Sequence, residues 1–329
     1  MHNKVVDSFR EKAFLMLALG MGLLTGCHTP DLKPFRDSTA KIQSSVLEAQ
    51  DLYSGELERL RPFVPDDNAL TRQQKIFSEN WKARTEVMDA MVKYAGSLAA
   101  VADAPEQSRA GLEAVAKSIN QLGVAAGPYQ AAIEGGTEIA LELVDLVNRV
   151  RAARQLKKAV EATDPDMQKL AKLLAKDFGS LRRTLELNQK SIKNWMDGPL
   201  SHQLDARTAL ITRAEEKATA LQTNLGGADW AAAVATFNKD MADTQKFLAE
   251  ADKWYLPHQA AVEAAQKQMA ERVKLFSDTE TAIAQWGKAH ADLAEALQND
   301  LSPDWTLLRQ SADRIEKSIN KIANQNNTP

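Results

Sequence analysis

The chain has 329 residues, with 41 basic and 44 acidic side chains and a formal net charge of −3. Nucleic-acid affinity comes mostly from clustered lysine and arginine on phosphates, so this weakly acidic balance argues against a nucleic-acid partner. With one cysteine, the chain can form no internal disulfide and no multi-cysteine metal site.

The first apolar stretch runs from Ala13 to Leu24 and is followed by the single cysteine, Cys27. Three basic residues precede it: Lys4, Arg10 and Lys12. Because a bilayer-spanning helix needs roughly 20 apolar residues, this stretch is more typical of a secretory signal than of a retained membrane anchor. A third interpretation is a buried core helix in which the cysteine packs as a small apolar residue.

Leu24-Thr25-Gly26-Cys27 resembles the lipobox of bacterial lipoprotein precursors. The resemblance implies that a signal peptidase recognises Leu24, Thr25 and Gly26, removes residues 1–26, and leaves lipid on the sulfur and new amino group of Cys27. In lipoproteins of two-membrane bacteria the next residue influences sorting. His28 stands here instead of the aspartate associated with inner-membrane retention, which implies the periplasmic face of the outer membrane.

Residues 27–34 then form a short tether between the lipid and the folded body. About six extended residues reach only ~20 Å, so we expect the body to lie close to the membrane surface.

From Phe35 onward, apolar residues recur three and four positions apart, which predicts an all-α body over residues 35–323. Ala, Leu, Lys, Gln and Glu abound, and these residues favour helices. Helix ends are predicted at Pro62, near Asp103 and at Gly127-Pro128. The next helix begins at Pro128 or at Thr137, after Gly135-Gly136.

Further along, Asp164-Pro165-Asp166 is predicted to begin a helix that ends at Gly198-Pro199. The following helix ends at Gly226-Gly227. Asp229 begins another helix, which Pro257 breaks or kinks. Ser302-Pro303-Asp304 precedes the last one, and residues 324–329 are expected to fray.

Eight or nine helices with short connections predict an elongated antiparallel bundle of coiled-coil character. A candidate subdomain boundary lies near residues 164–200. The clearest heptad row comprises Val262, Met269, Phe276, Ile283, His290 and Leu297.

His290 is the polar member of that row. A buried imidazole has to be hydrogen-bonded or lose its charge, so it is a candidate pH-sensitive or register-setting group. The alternative is a boundary histidine whose ring packs while one nitrogen meets solvent.

The densest basic cluster is the set Arg149, Arg151, Arg154, Lys157 and Lys158. It is a candidate contact for lipid headgroups. Equally, cations near the C-terminal end of a helix offset its macrodipole without further function.

Motifs for catalysis are missing from the sequence: it has no Gly-x-Ser-x-Gly elbow, no phosphate-binding glycine loop and no Glu-x-x-His pair. We therefore expect no enzyme, no metal and no cofactor beyond the covalent lipid. The tryptophans fall on apolar stripes, which favours core packing over a ligand pocket: Trp81, Trp195, Trp230, Trp286 and Trp305.

The sequence thus favours a membrane-anchored helical lipoprotein that acts as an interaction or envelope scaffold protein. Its partner would be another envelope protein or a second copy of the chain. Two alternatives stay open: an immunity or inhibitor lipoprotein that binds a toxin or hydrolase, and a ligand-binding or catalytic bundle with a site assembled across helices.

Overall fold

A computed structural model of the chain describes residues 30–61, 67–104, 108–132, 138–153, 155–223 and 225–326. These residues are helical with no strand among them, so the all-α prediction is confirmed. The helices are α1 (Lys33–Leu60), α2 (Asp67–Asp103), α3 (Ser108–Ala132), α4 (Glu138–Ala152), α5 (Leu156–Asp197), α6 (Ser201–Thr223), α7 (Trp230–Gln298) and α8 (Thr306–Asn326).

A 3-10 turn, Gly198–Leu200, joins α5 to α6. The flanking residues Asp197 and Ser201 both have right-handed helical backbone angles. When α5 and α6 are counted as one continuous helical segment, the described part of the chain has seven helical segments. This number is slightly below the eight or nine predicted. Gly198-Pro199 tightens the helical path instead of ending it.

The predicted ends of the body shift by a few residues. The first helix begins at Lys33, inside the stretch expected to be tether, and α8 continues through residue 326, into the stretch expected to fray.

Pro128 and Pro165 were expected to mark helix ends, and Pro257 was expected to break or kink a helix. All three lie inside helices: Pro128 in α3, Pro165 in α5 and Pro257 in α7. An interior proline costs about 3 kcal/mol. Tyr129 is fully buried directly after Pro128, and Met167 is fully buried two residues after Pro165. Since burying one such side chain contributes roughly 1.5–3 kcal/mol, packing next to these two prolines offsets the lost backbone bond.

The chain divides into two compact units, each assembled from separate segments. The first unit takes the chain up to Gln43, Ala83–Leu173 and Ala282–Ala312. The second takes Ser44–Lys82, Leu174–Thr281 and the chain from Asp313.

Aromatic side chains fill the core of the first unit. Phe35 lies with its ring centroid 5.5 Å from that of Trp286 and 5.4 Å from that of Trp305. The indole nitrogen of Trp286 donates to the Thr39 hydroxyl at 2.9 Å, so the ring is held by a polar contact inside an apolar environment.

The second unit has its own aromatic core. Ring centroids lie 3.9 Å apart for Tyr53 and Phe77, 4.8 Å for Phe77 and Trp81, and 5.9 Å for Trp81 and Phe178. Phe276 of the heptad row lies 6.0 Å from Phe178 and is almost completely buried. Trp195 and Trp230, both expected in the core, are only half-buried.

Within the second unit, α6 and the first part of α7 form an antiparallel helical hairpin. Arg207 pairs with Asp252 and, further along α6, Lys217 pairs with Asp240, so residue numbers rise on one helix as they fall on the other. No residue of α6 is buried, and α7 buries none before Ala251. The predicted apolar faces are present here, but they are half-exposed.

Across the described helices, none contains an apolar segment long enough to cross a membrane.

Candidate functional site

A polar cleft of about 340 Å³ lies in the second unit, where the hairpin leaves the rest of the unit. Its walls come from the end of α5, the start of α6 and the part of α7 around Pro257. The residues that give it chemistry are Lys193, Asp197, Arg207, Tyr255, His258 and Glu263.

Asp197 and His258 form the central pair of the cleft. The Nε2 atom of His258 lies 2.8 Å from Oδ1 of Asp197, and Lys193 donates to the other carboxylate oxygen. Burial alone would raise the pKa of Asp197, but the hydrogen bonds from Lys193 and His258 outweigh it and hold the pKa below its usual value. The carboxylate is therefore ionised at neutral pH.

Arg207 forms the opposite wall of the cleft. Its guanidinium lies 3.8 Å from the ring centroid of Tyr255 and donates to Oδ1 of Asp252 at 2.8 Å. Stacking and the ion pair fix the orientation of this cation.

Two polar groups in the cleft remain available to a ligand. Neither Nδ1 of His258 nor the carboxylate of Glu263 has a partner among the described residues. No serine or cysteine lines the cleft. Its chemistry therefore suits binding or proton transfer by His258, and it supplies no serine or cysteine nucleophile.

The sequence alone did not identify this cleft. Asp197 and His258 are 61 positions apart, and neither belongs to a motif. The available signal was that each lies next to a predicted helix break in a strongly helical region. Asp197 precedes Gly198-Pro199, and His258 follows Pro257.

The second polar site is a buried relay centred on His290 in the first unit. Its Nδ1 atom lies 2.9 Å from Oδ1 of Asp164, and its Nε2 atom lies 2.7 Å from the hydroxyl of Tyr94. That hydroxyl lies 2.9 Å from the hydroxyl of Thr163, which donates to the carbonyl of Val160. His290 is fully buried, so the boundary interpretation with one solvated nitrogen is wrong.

Burial is the largest influence on Tyr94, and together with the charge of Asp164 it raises the pKa of the phenol despite the bond to Thr163. Tyr94 therefore keeps its proton. Thr163 donates to the carbonyl of Val160, and the hydroxyl of Tyr94 lies within hydrogen-bond distance of both Thr163 and Nε2 of His290. Nδ1 of His290 donates to Asp164, because a carboxylate oxygen accepts.

The structure gives internal partners to most of the predicted basic cluster. Arg149 donates to the buried Asp166 at 3.0 Å and Arg151 pairs with Glu113 at 2.9 Å. Lys157 donates to the backbone carbonyl of Gln298 at 2.9 Å. Lys158 is exposed and has no ion pair among the described residues, whereas Arg154 lies outside them.

The predicted lipidation site also falls outside the described part of the chain, because Cys27 and the preceding Leu24, Thr25 and Gly26 precede residue 30. Among the residues that the structure does describe, no group of three or more His, Cys, Asp or Glu side chains is placed to hold a metal ion.

Comparison with protein-family models, with curated proteins and with solved structures gives no match.

Proposed function

We propose that the chain is a lipoprotein anchored through Cys27 at the periplasmic face of the outer membrane, where it acts as a non-enzymatic interaction or scaffold protein. The observation that supports the interaction role is the α6–α7 hairpin. Its apolar side chains pack between only two helices. The lipobox resemblance supports the anchoring.

The hairpin carries apolar side chains at heptad positions in both helices, including Leu204, Ile211, Val234 and Met241, and all four are half-exposed. A larger bundle would bury such positions. Beyond the seam, Leu225 is 71% exposed and Phe247 is 49% exposed. Partly covered helical seams with exposed apolar residues are typical of surfaces that dock a further helix.

Site-specific photo-crosslinking in the native envelope tests the interaction role. A photoreactive residue replacing Phe247 should give a discrete crosslinked product, identified by mass spectrometry. The same residue at Leu187, which is 64% exposed on α5 of the same unit, is the matched control and should give none. Equal products from both positions would contradict the role of the hairpin.

The products also separate the candidate partners. A product of twice the mass of the chain indicates self-association, and another envelope protein indicates a scaffold. A toxin or hydrolase indicates the inhibitor alternative. Leu225→Glu, in the chain that carries the photoreactive residue at position 247, should abolish the product and leave the circular dichroism spectrum unchanged.

Replacement of Cys27 by Ala tests the anchoring. The wild-type chain should fractionate with membranes and carry the mass of its lipid, and the variant should lose both properties. A wild-type chain without lipid mass would refute this part of the proposal.

A ligand-binding role is the second candidate, favoured by the cleft around Asp197 and His258. Its free groups, Nδ1 of His258 and the Glu263 carboxylate, suit a small ligand with hydrogen-bond donors or a positive charge. Thermal-shift screening with small amines and amino acids tests this role, since any true ligand should lose its effect in Glu263→Gln.

A further inference from the structure

We infer that the loop between α7 and α8, residues 299–305, is the part of the first unit that contacts a lipid surface, with Leu301 among the headgroups. This inference rests on the proposed lipid anchor at Cys27.

The first described residues lie against this loop. The carbonyl of Asp31 accepts a hydrogen bond from the indole nitrogen of Trp305 at 3.0 Å, and both Leu32 and Trp305 are buried. Only four residue steps separate Cys27 from Asp31, a reach of about 14 Å when fully extended. A lipid on Cys27 therefore holds the bilayer within that distance of the Trp305 contact.

The backbone of the loop presents an apolar side chain to solvent. Two residues after the end of α7, Asp300 has the left-handed conformation at φ 53°, and the amide of Leu301 donates to the carbonyl of Ala296 at 2.8 Å. In this type of helix end the residue at the position of Leu301 commonly packs back on the helix. Leu301 is instead 62% exposed, as an apolar residue in a polar loop.

Charged side chains of both signs border the loop. Asp300 and Asp304 lie within it, and Lys157 donates to the carbonyl of Gln298 directly before it. One inserted leucine binds weakly alone, but the anchor keeps the loop at high local concentration near the bilayer.

Among the described residues of the first unit, a further exposed apolar group is formed by Val124, Leu141 and Val144 on α3 and α4. Its members lie near Gly123, where α3 and α4 pack together. No described contact links this group to the residues around Asp31, whereas Trp305 links the loop to them directly. Leu141, 71% exposed against 62% for Leu301, therefore provides a control of similar exposure.

Spin labelling of the lipidated full-length chain tests the inference. Since the lipid occupies the sulfur of Cys27, Leu301→Cys supplies a single free thiol for a nitroxide, and Leu141→Cys supplies the control. Each labelled chain is reconstituted on vesicles of phosphatidylethanolamine with phosphatidylglycerol as the minor lipid. Collision with oxygen reports lipid contact, and collision with a water-soluble nickel chelate reports exposure to water.

We expect the collision rate of the label at position 301 with the nickel chelate to fall several-fold on the vesicles. The reference is the same label on the unlipidated Cys27→Ala background. The label at position 141 should not change. A label at Leu307, exposed in the first turn of α8, gives a second readout and should lose nickel access in part.

Equal nickel access at positions 301 and 141 on a chain of confirmed lipid mass would overturn the membrane-facing loop while leaving the anchoring intact. Protection at position 141 instead of 301 would assign contact to the other apolar group. A chain without lipid mass would overturn both proposals, and intact-mass measurement before reconstitution separates that case.

Discussion

The Nε2 atom of His290 lies 2.7 Å from the hydroxyl oxygen of Tyr94, and both side chains are fully buried. The contact joins α2 to α7, and Asp164 and Thr163 extend it to α5. A buried polar network stabilises a fold only when each member has its partners. Removal of any one hydrogen-bonding group of the network should therefore lower the free energy of unfolding.

Replacement of Thr163 by Val should lower the free energy of unfolding by about 1–3 kcal/mol, because the buried hydroxyl of Tyr94 loses a hydrogen-bond partner. Thr279→Val is the matched control: Thr279 is also buried, and its hydroxyl donates to the Leu275 carbonyl of its own helix. This control should lose less than about 1 kcal/mol. Urea unfolding followed by circular dichroism gives both values, and equal losses would show that the relay adds nothing.

Nδ1 of His290 faces the carboxylate of Asp164, so this nitrogen is the hydrogen-bond donor of the pair. Nitrogen-15 NMR of the histidine side chains should show a proton on Nδ1 of His290. The assignment comes from the resonance that disappears in His290→Gln. A ring that carries its proton only on Nε2 would contradict this donor direction.

Gly287 is required by the close approach of α7 to α5. A Cβ atom added there would lie 2.6 Å from the Cβ of Ala171, so Gly287→Ala should destabilise the chain by about 1–3 kcal/mol. Gly96→Ala is the control, since nothing lies within 4 Å of its added Cβ. That variant should raise stability by about 0.5–1 kcal/mol through helix propensity. Thermal unfolding should move in opposite directions for the two variants.

Asp197→Asn should reduce stability at neutral pH by about 1 kcal/mol, since the pair with His258 and Lys193 loses its charge. The folded-state pKa of Asp197 lies below its unfolded value. Its contribution is therefore fully present above about pH 4 and is lost as the pH falls through the folded-state value.

Urea unfolding at a series of pH values should show the two chains converging in acid. Asp205→Asn, at an exposed carboxylate of the same region, is the control and should follow the wild-type chain throughout. A constant difference between Asp197→Asn and wild type at every pH would contradict the depressed pKa.

Much of the secondary structure follows from spacing alone. The heptad row was predicted from its seven-residue period, and Val262, Met269, Phe276 and Ile283 are all buried in it. The prediction of helix ends at Pro128 and Pro165 was wrong, because it considered only the local backbone penalty of a proline. Burial of neighbours such as Tyr129 and Met167 is a tertiary effect that no local pattern reports.

The polar sites were predictable only in part. His290 stood out because it is a polar residue in an apolar row, but its partners Tyr94 and Thr163 sit at ordinary helical positions on other helices. No sequence pattern indicated the pair of Asp197 and His258, because only tertiary packing brings the two residues together. For the hairpin, the apolar period of α6 was visible, but the number of helices covering it was not.

Helix α8 has a consequence for how the chain reaches its native state. Its first residues, up to Ala312, complete the first unit, and those from Asp313 complete the second. Both units are incomplete until α8 has been synthesised. We therefore expect a truncation before Thr306 to leave both units without one of their helical segments.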